Sequence, residues 1–246
     1  MQAVSTEKTV GELAAEHPAA ARVFEKLGID YCCGGSKTLG EACREAGLPL
    51  GQLRDTLDSV LSAAAATAEE RGWNTAPLAD LTAHIRNTHH RFTRAAMTRL
   101  EPLFAKVLSV HGNNHPELAK MRRTFAGLVQ ELSTHMMKEE MVLFPYIERM
   151  EEAILEQSPV LPAPFGTVRN PVAMMMHEHD GAGEALREMR AAGNGYAAPP
   201  DACTSYRALY QALAEFETDL HQHIHLENNI LFPRAIEMER ASERHR

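Results

Sequence analysis

The sequence predicts an all-α protein: an antiparallel four-helix bundle preceded by a small helical domain. Three observations carry this reading. β-Branched alternation is rare, and Ala, Leu, Met and Glu dominate. Apolar residues recur at helical spacing over four long stretches, at about 77–110, 115–150, 171–192 and 200–240. Proline marks where they begin: Pro77, Pro116 and Pro171 lie in or near first turns, and Pro199-Pro200 precedes the fourth stretch. A helix of about 30 residues is about 45 Å long. The 111–114 turn, the Pro-rich loop at 156–170 and the Gly/Pro loop at 193–200 fold four such rods back on one another.

Residues 1–66 read as short, well-punctuated helices. Thr9-x-x-Glu12 and Thr38-x-x-Glu41 are capping boxes, in which the Thr hydroxyl and the Glu carboxylate each take one orphan backbone N–H. Gly28 and Gly47 follow helical runs, where a left-handed residue closes a helix. The segment Arg71-Gly72-Trp73-Asn74 reads as a boundary, giving a small domain at 1–70 and a bundle at 71–246.

Composition removes several function classes. A net charge of −8 argues against a nucleic-acid partner, which needs clustered Lys and Arg. The first residues have no apolar signal-like run, and no stretch reaches membrane-spanning length, so the expected location is the cytoplasm and no membrane partner is expected. Of the four cysteines, Cys32 and Cys33 are adjacent while Cys43 and Cys203 stand apart, which is no disulfide framework. A homodimer is compatible with these features, and none of them requires one.

The chemistry is announced by a repeated phrase. His135-Met136-Met137-Lys138-Glu139 through Leu143-Phe144-Pro145 returns 88 positions later as His223-Ile224-His225-Leu226-Glu227 through Leu231-Phe232-Pro233. His and Glu stand four apart in both copies, so an imidazole and a carboxylate share a helix face, with Cβ atoms about 5–6 Å apart. Two such helices facing each other supply most of a dinuclear metal site.

Helical phase sorts the 13 histidines. On the second stretch the stripe is Leu118, Met121, Phe125, Leu128, Leu132, His135, Glu139 and Val142. On the fourth it is Leu209, Leu213, Phe216, Leu220, His223, Glu227 and Ile230. A carboxylate facing the core requires a partner, because burying it alone is very costly. His221 and His225 point away from the stripe, and Glu140 is one step off it. On the third stretch Val172, Met175, His179, Leu186 and Met189 align, leaving His177 on the polar side. The first stretch runs Leu78, Leu81, Ile85, Phe92, Ala96, Leu103 and Val107, a phase that fits His89 better than His90 and leaves His84 outside. Spacing leaves the choice between His89 and His90 open. A single inward His is usually a satisfied core residue, but three His and two Glu converging in a duplicated phrase are not. The Met runs and Leu-Phe-Pro read as packing and kink features.

Imidazoles and carboxylates without cysteine in the stripes suit iron or manganese better than structural zinc. Ferritin-like di-iron proteins place Glu before His at a spacing of three. Here His comes first at a spacing of four, which favours a hemerythrin-like site. The chain resembles the bacterial iron-sulfur cluster repair di-iron proteins, the repair-of-iron-centres family, over nearly its whole length. The resemblance rests on Asp30-Tyr31-Cys32-Cys33-Gly34-Gly35, Trp73 through Leu78, Ser133 to Glu140, Glu178-His179-Asp180 and His223 to Pro233. It implies a hemerythrin-like bundle holding a non-haem centre of two iron ions, oxo-bridged when oxidised. By resemblance the ligands are His90, His135, Glu139, His179, His223 and Glu227. Two departures stand out: His89 occupies a position where the family usually has an aromatic residue, and the 156–170 loop is longer than usual.

Cys32-Cys33 lies between Gly28 and Gly34-Gly35, which predicts an exposed, flexible turn. A disulfide between neighbours closes a strained, reducible ring, the kind found in regulatory or catalytic pairs. The resemblance implies that Cys32 and Cys33 act with the di-iron centre, while Cys43 and Cys203 read as incidental. The expected function is repair of iron-sulfur clusters damaged by oxidative or nitrosative stress, by donating iron, with damaged iron-sulfur proteins as partners. Rival readings are a nitric oxide reductase and a hemerythrin-like oxygen or nitric oxide sensor. The thiol pair disfavours plain oxygen carriage, which needs no thiols.

Overall fold

The computed structural model describes residues 5–64 and 72–243. Among the described residues the chain is all-helical, with only the isolated bridges Thr9–Thr38 and Ala163–Gly166 outside helices. It packs as two compact units. One comprises Met1–Leu81, Met150–Val160 and Ile224–Arg246, and the other Thr82–Arg149 and Leu161–His223. The boundary expected at residues 70–71 lies outside the described residues.

In the first unit α1 (Val10–Glu16), α2 (Pro18–Leu27), α3 (Leu39–Ala46) and α4 (Leu50–Ala64) follow the sequence signals closely. Both capping boxes form, and Gly28 and Gly47 close α2 and α3 at φ 68° and 66°. The two N-termini also cap each other. Val10 and Gly11 donate to the carbonyls of Lys37 and Gly35 at 2.9 Å, and Leu39 donates to Lys8 at 3.1 Å. Backbone N–H groups that an isolated helix leaves unsatisfied are thereby used to join α1 to α3. Val10, Leu13, Phe24, Tyr31, Leu39, Leu53 and Leu57 form the core beneath them, with Cys43 among them.

Four long rods follow. The first is Leu78–His84, Ile85–His90 and Arg91–His111; the second is Glu117–Lys138, Glu139–Leu143 and Phe144–Leu155. The third is Arg169–Ala192, and the fourth is Thr204–Leu226, Glu227–Leu231 and Phe232–Glu243. The middle segment of the first, second and fourth rods is a π-helical turn, whose i→i+5 bonding inserts one extra residue. In the second unit, Phe104 packs on Phe125 and Phe125 on Phe216, with ring centroids 5.4 and 5.8 Å apart. No described helix is long and apolar enough to cross a membrane.

The π-turns correct the predicted stripes. Val142 is 45% exposed and Leu143 is buried in its place, because the insertion at Glu139–Leu143 advances the phase by one. On the first rod the buried line passes from Ile85 to His90, Ala96, Leu100, Phe104 and Val107, while Phe92 and Leu103 are only partly covered. Proline then follows the π-turn at Pro145 and Pro233, where the missing N–H falls in a ladder already disrupted.

Candidate metal centre

Each inward histidine is positioned by a rod of the second unit. His90 ends the first π-turn, His135 precedes the second by one turn, His179 sits mid-rod and His223 lies near the end of the Thr204–Leu226 helix. All four imidazoles are buried, none more than 2% exposed. Glu139 is completely buried at their centre, with Oε2 3.3 Å from His90 Nε2 and Oε1 3.2 Å from His135 Nε2. His90, Glu139 and His223 offer ligand atoms all within 4.8 Å of one another, and so do His135, Glu139 and His179. Glu139 is common to both sets. Glu227 is also completely buried and opens its own π-turn one helical turn beyond His223, as Glu139 does beyond His135.

The chemistry of the donor set fits cations. His90 Nε2 meets His223 Nε2 at 3.1 Å, and His135 Nε2 meets His179 Nε2 at 3.0 Å. On the far side of the ring, His90 Nδ1 lies 2.7 Å from Glu140 and His135 Nδ1 lies 2.8 Å from Glu178. A carboxylate at Nδ1 keeps the proton there and leaves the Nε2 lone pair facing inward. Imidazole lone pairs converging on one carboxylate repel each other until a cation lies between them. Orientation by an outer carboxylate is how metal-bound histidines are usually held.

Sequence reasoning missed this outer layer. Burial raises the Glu140 carboxyl, but hydrogen bonds from His90 and Arg94 outweigh it and hold the group below its ordinary value. Glu178 is treated the same way by Lys138 and His135. Each carboxylate is adjacent in sequence to an inward residue, Glu139 or His179, and that adjacency was the available signal. Glu178→Gln is expected to weaken metal binding by about 10–100-fold with the fold intact, measured by competition with a chelator.

His89 is placed differently from His90. Its Nδ1 lies 3.1 Å from Asp219, and its ring stacks on His223 at 5.9 Å with 10° between planes. It fills the position of an aromatic neighbour and stands outside both donor sets. His90→Ala is therefore expected to lose bound metal and His89→Ala to retain it, counted by metal analysis of the two purified variants.

The cysteine turn belongs to the first unit, and its predicted exposure is corrected. Cys32 is buried at 4% exposure and Cys33 is partly covered, with their sulfurs 3.9 Å apart. Asp30 Oδ1 accepts from the N–H groups of Cys33 and Gly34 at 3.0 and 2.9 Å and from the Cys32 thiol at 3.4 Å. The Cys33 hydrogen bond, burial and the charge of Asp30 push the Cys32 thiol well above its ordinary range, so it stays protonated at neutral pH.

Two asparagines directly after Glu227 hold this turn. Asn228 donates to the Cys32 carbonyl at 3.3 Å and Asn229 to the Tyr31 carbonyl at 3.0 Å. Gly11 and Gly35 make room for Asn229: a Cβ at either would come within 2.5 Å of its Oδ1. His225, which sequence phase put on an outward face, is buried here against Tyr31 at 5.4 Å and bonded to Asn229 at 2.9 Å. Burial lowers its imidazole to about 4 from an ordinary 6.5. A depressed histidine contributes stability above pH 6.5 that is lost as pH falls toward 4. That contribution is at most about 3 kcal/mol. Acid unfolding of His225→Gln is expected to show a flatter pH dependence across this window.

Histidines outnumbering carboxylates inside a four-helix bundle define a hemerythrin-like cation-binding protein. Residues 80–235 match the family described as Hemerythrin HHE cation binding domain, and residues 6–61 match ScdA_N, a domain of unknown function. The chain is 37% identical over 230 residues to "Iron-sulfur cluster repair protein YtfE" of Pectobacterium atrosepticum, covering 94% of this chain and 97% of that protein. The protein of that name from Cronobacter sakazakii is 38% identical, covering 94% and 96%, and that from Escherichia coli O81 is 36% identical, covering 94% and 97%. The chain belongs to this family of YtfE-type iron-sulfur cluster repair proteins, built from a hemerythrin HHE domain and an ScdA_N domain.

Proposed function

We propose that the protein restores iron-sulfur clusters damaged by oxidative or nitrosative stress, by donating iron from a centre of two iron ions. His90, His135, His179 and His223, with the carboxylates of Glu139 and Glu227, would hold the ions. Bound iron supplies the transferable ferrous ion, and imidazole and carboxylate hold Fe(II) less tightly than they hold Cu(II) or Zn(II). Glu140 and Glu178 fix the tautomers of His90 and His135, keeping their Nε2 atoms deprotonated and aimed inward.

The observation that carries the reading is the attachment of the thiol turn to the ligand helix. Asn228 and Asn229, the next residues after Glu227, bond to the carbonyls of Cys32 and Tyr31. These bonds tie the thiol turn to the residues that directly follow Glu227 in the chain. Oxygen carriage has no use for such a link. The partners in this reading are damaged iron-sulfur proteins of the cytoplasm.

The test is recovery of a nitric-oxide-damaged iron-sulfur enzyme mixed with the reduced, iron-loaded protein. Recovery beyond that given by an equal concentration of free ferrous iron is expected. Tight reversible gas binding without recovery would instead make the protein a sensor. Catalytic consumption of nitric oxide without recovery would make it a reductase.

A further inference from the structure

A second cluster of metal-ligating side chains lies at the other end of the second unit, and the iron reading does not use it. His111 ends the first rod, His115 stands in the turn that leads to the second, and Asp201 and Cys203 precede the fourth. His111 is 21 residues along the rod from His90. That separation is about 30 Å. The ligand atoms of His111, His115 and Asp201 all lie within 4.8 Å of one another. His115 Nε2 is 3.1 Å from both Asp201 oxygens, and its Nδ1 is 2.9 Å from Glu117. Donors around a tetrahedral first-row ion sit about 3.3 Å apart, given bonds of about 2.0–2.1 Å. The Cys203 sulfur interacts with the His111 ring and with the Tyr206 backbone N–H at the start of the fourth rod.

A bland reading explains part of this. A protonated His115 between Asp201 and Glu117 is an ordinary surface ion pair. It does not account for His111, whose ligand nitrogen converges on the same His115 and Asp201 atoms within 4.8 Å.

We propose that His111, His115 and Asp201 form a second, mononuclear site for a divalent ion of the zinc type, independent of the iron centre. Two imidazoles and one carboxylate make a three-ligand set that suits zinc rather than calcium or magnesium, with water completing the four-coordinate shell. Binding releases any proton on His115 to solvent, and joins the 111–115 turn to the segment entering the fourth rod.

Cobalt(II) is the probe, added to protein whose iron centre is already filled. Wild type is expected to take up one equivalent, with tetrahedral visible bands. His111→Ala should abolish the uptake, and Cys203→Ser should leave it unchanged. Glu117→Gln should weaken it by about 10–100-fold. Asp201→Asn, at an exposed position, supplies a second loss-of-binding variant should the His111 change disturb folding. The proposal is overturned if wild type binds no more cobalt than both loss-of-binding variants. It is overturned equally if the bound cobalt is lost in Cys32→Ser with Cys33→Ser.

Discussion

Replacing Glu139 by Ala is expected to empty the proposed two-iron centre, leaving almost no metal bound. The two Glu139 oxygens lie 3.3 and 3.2 Å from imidazoles on different rods, and the residue is shared by both donor sets. Losing it would remove the carboxylate that both donor sets share. Glu227→Ala should behave alike, because Glu227 repeats the placement of Glu139 after its own histidine. His177→Ala and His221→Ala should keep their iron, and His225→Ala should keep iron while losing stability in the first unit. Metal analysis, with circular dichroism to confirm helicity, reads all five. Full iron retention in both Glu variants would dismiss the ligand assignment.

The second large effect is a separation of iron content from repair. Cys32→Ser with Cys33→Ser is expected to fold, to bind its full iron complement and to lose most repair of a damaged cluster. Serine is nearly isosteric, and Asp30 can accept from its hydroxyl as it does from the thiol. The core residues of the small domain remain unchanged. The raised Cys32 thiol implies that Cys32 reacts slowly at neutral pH unless the turn opens. Alkylation of the folded protein by iodoacetamide should therefore modify Cys203, exposed at a helix start, before Cys32. A double variant that assembles no iron would place the cysteines within the metal centre itself.

The small domain was legible almost residue by residue. Capping boxes at Thr9 and Thr38 and closing glycines at Gly28 and Gly47 are local devices whose partners lie within four residues. The repeated His-x-x-x-Glu phrase was equally legible, because a four-residue offset on a helix needs no tertiary information. The exposure of the cysteine turn was not. Flanking glycines describe the freedom of the chain, and what covers Cys32 comes from residues almost 200 positions away, Asn228 and Asn229.

The choice between His89 and His90 shows the same limit more sharply. In an α-helix the residue following Ile85 on the buried face is His89, four positions on. In the π-turn Ile85–His90 it is His90, five positions on. Side-chain pattern determined from sequence alone that four rods exist, which faces of three of them are apolar, and which residue types converge. Where the helix takes in an extra residue is decided by packing and by the demand that buried imidazoles reach a common point. No local propensity encodes that demand. The outer carboxylates Glu140 and Glu178 follow the same rule: each lies beside an inward residue in the chain, yet the ring it orients is on another helix or another turn. Only the tertiary structure could pair them.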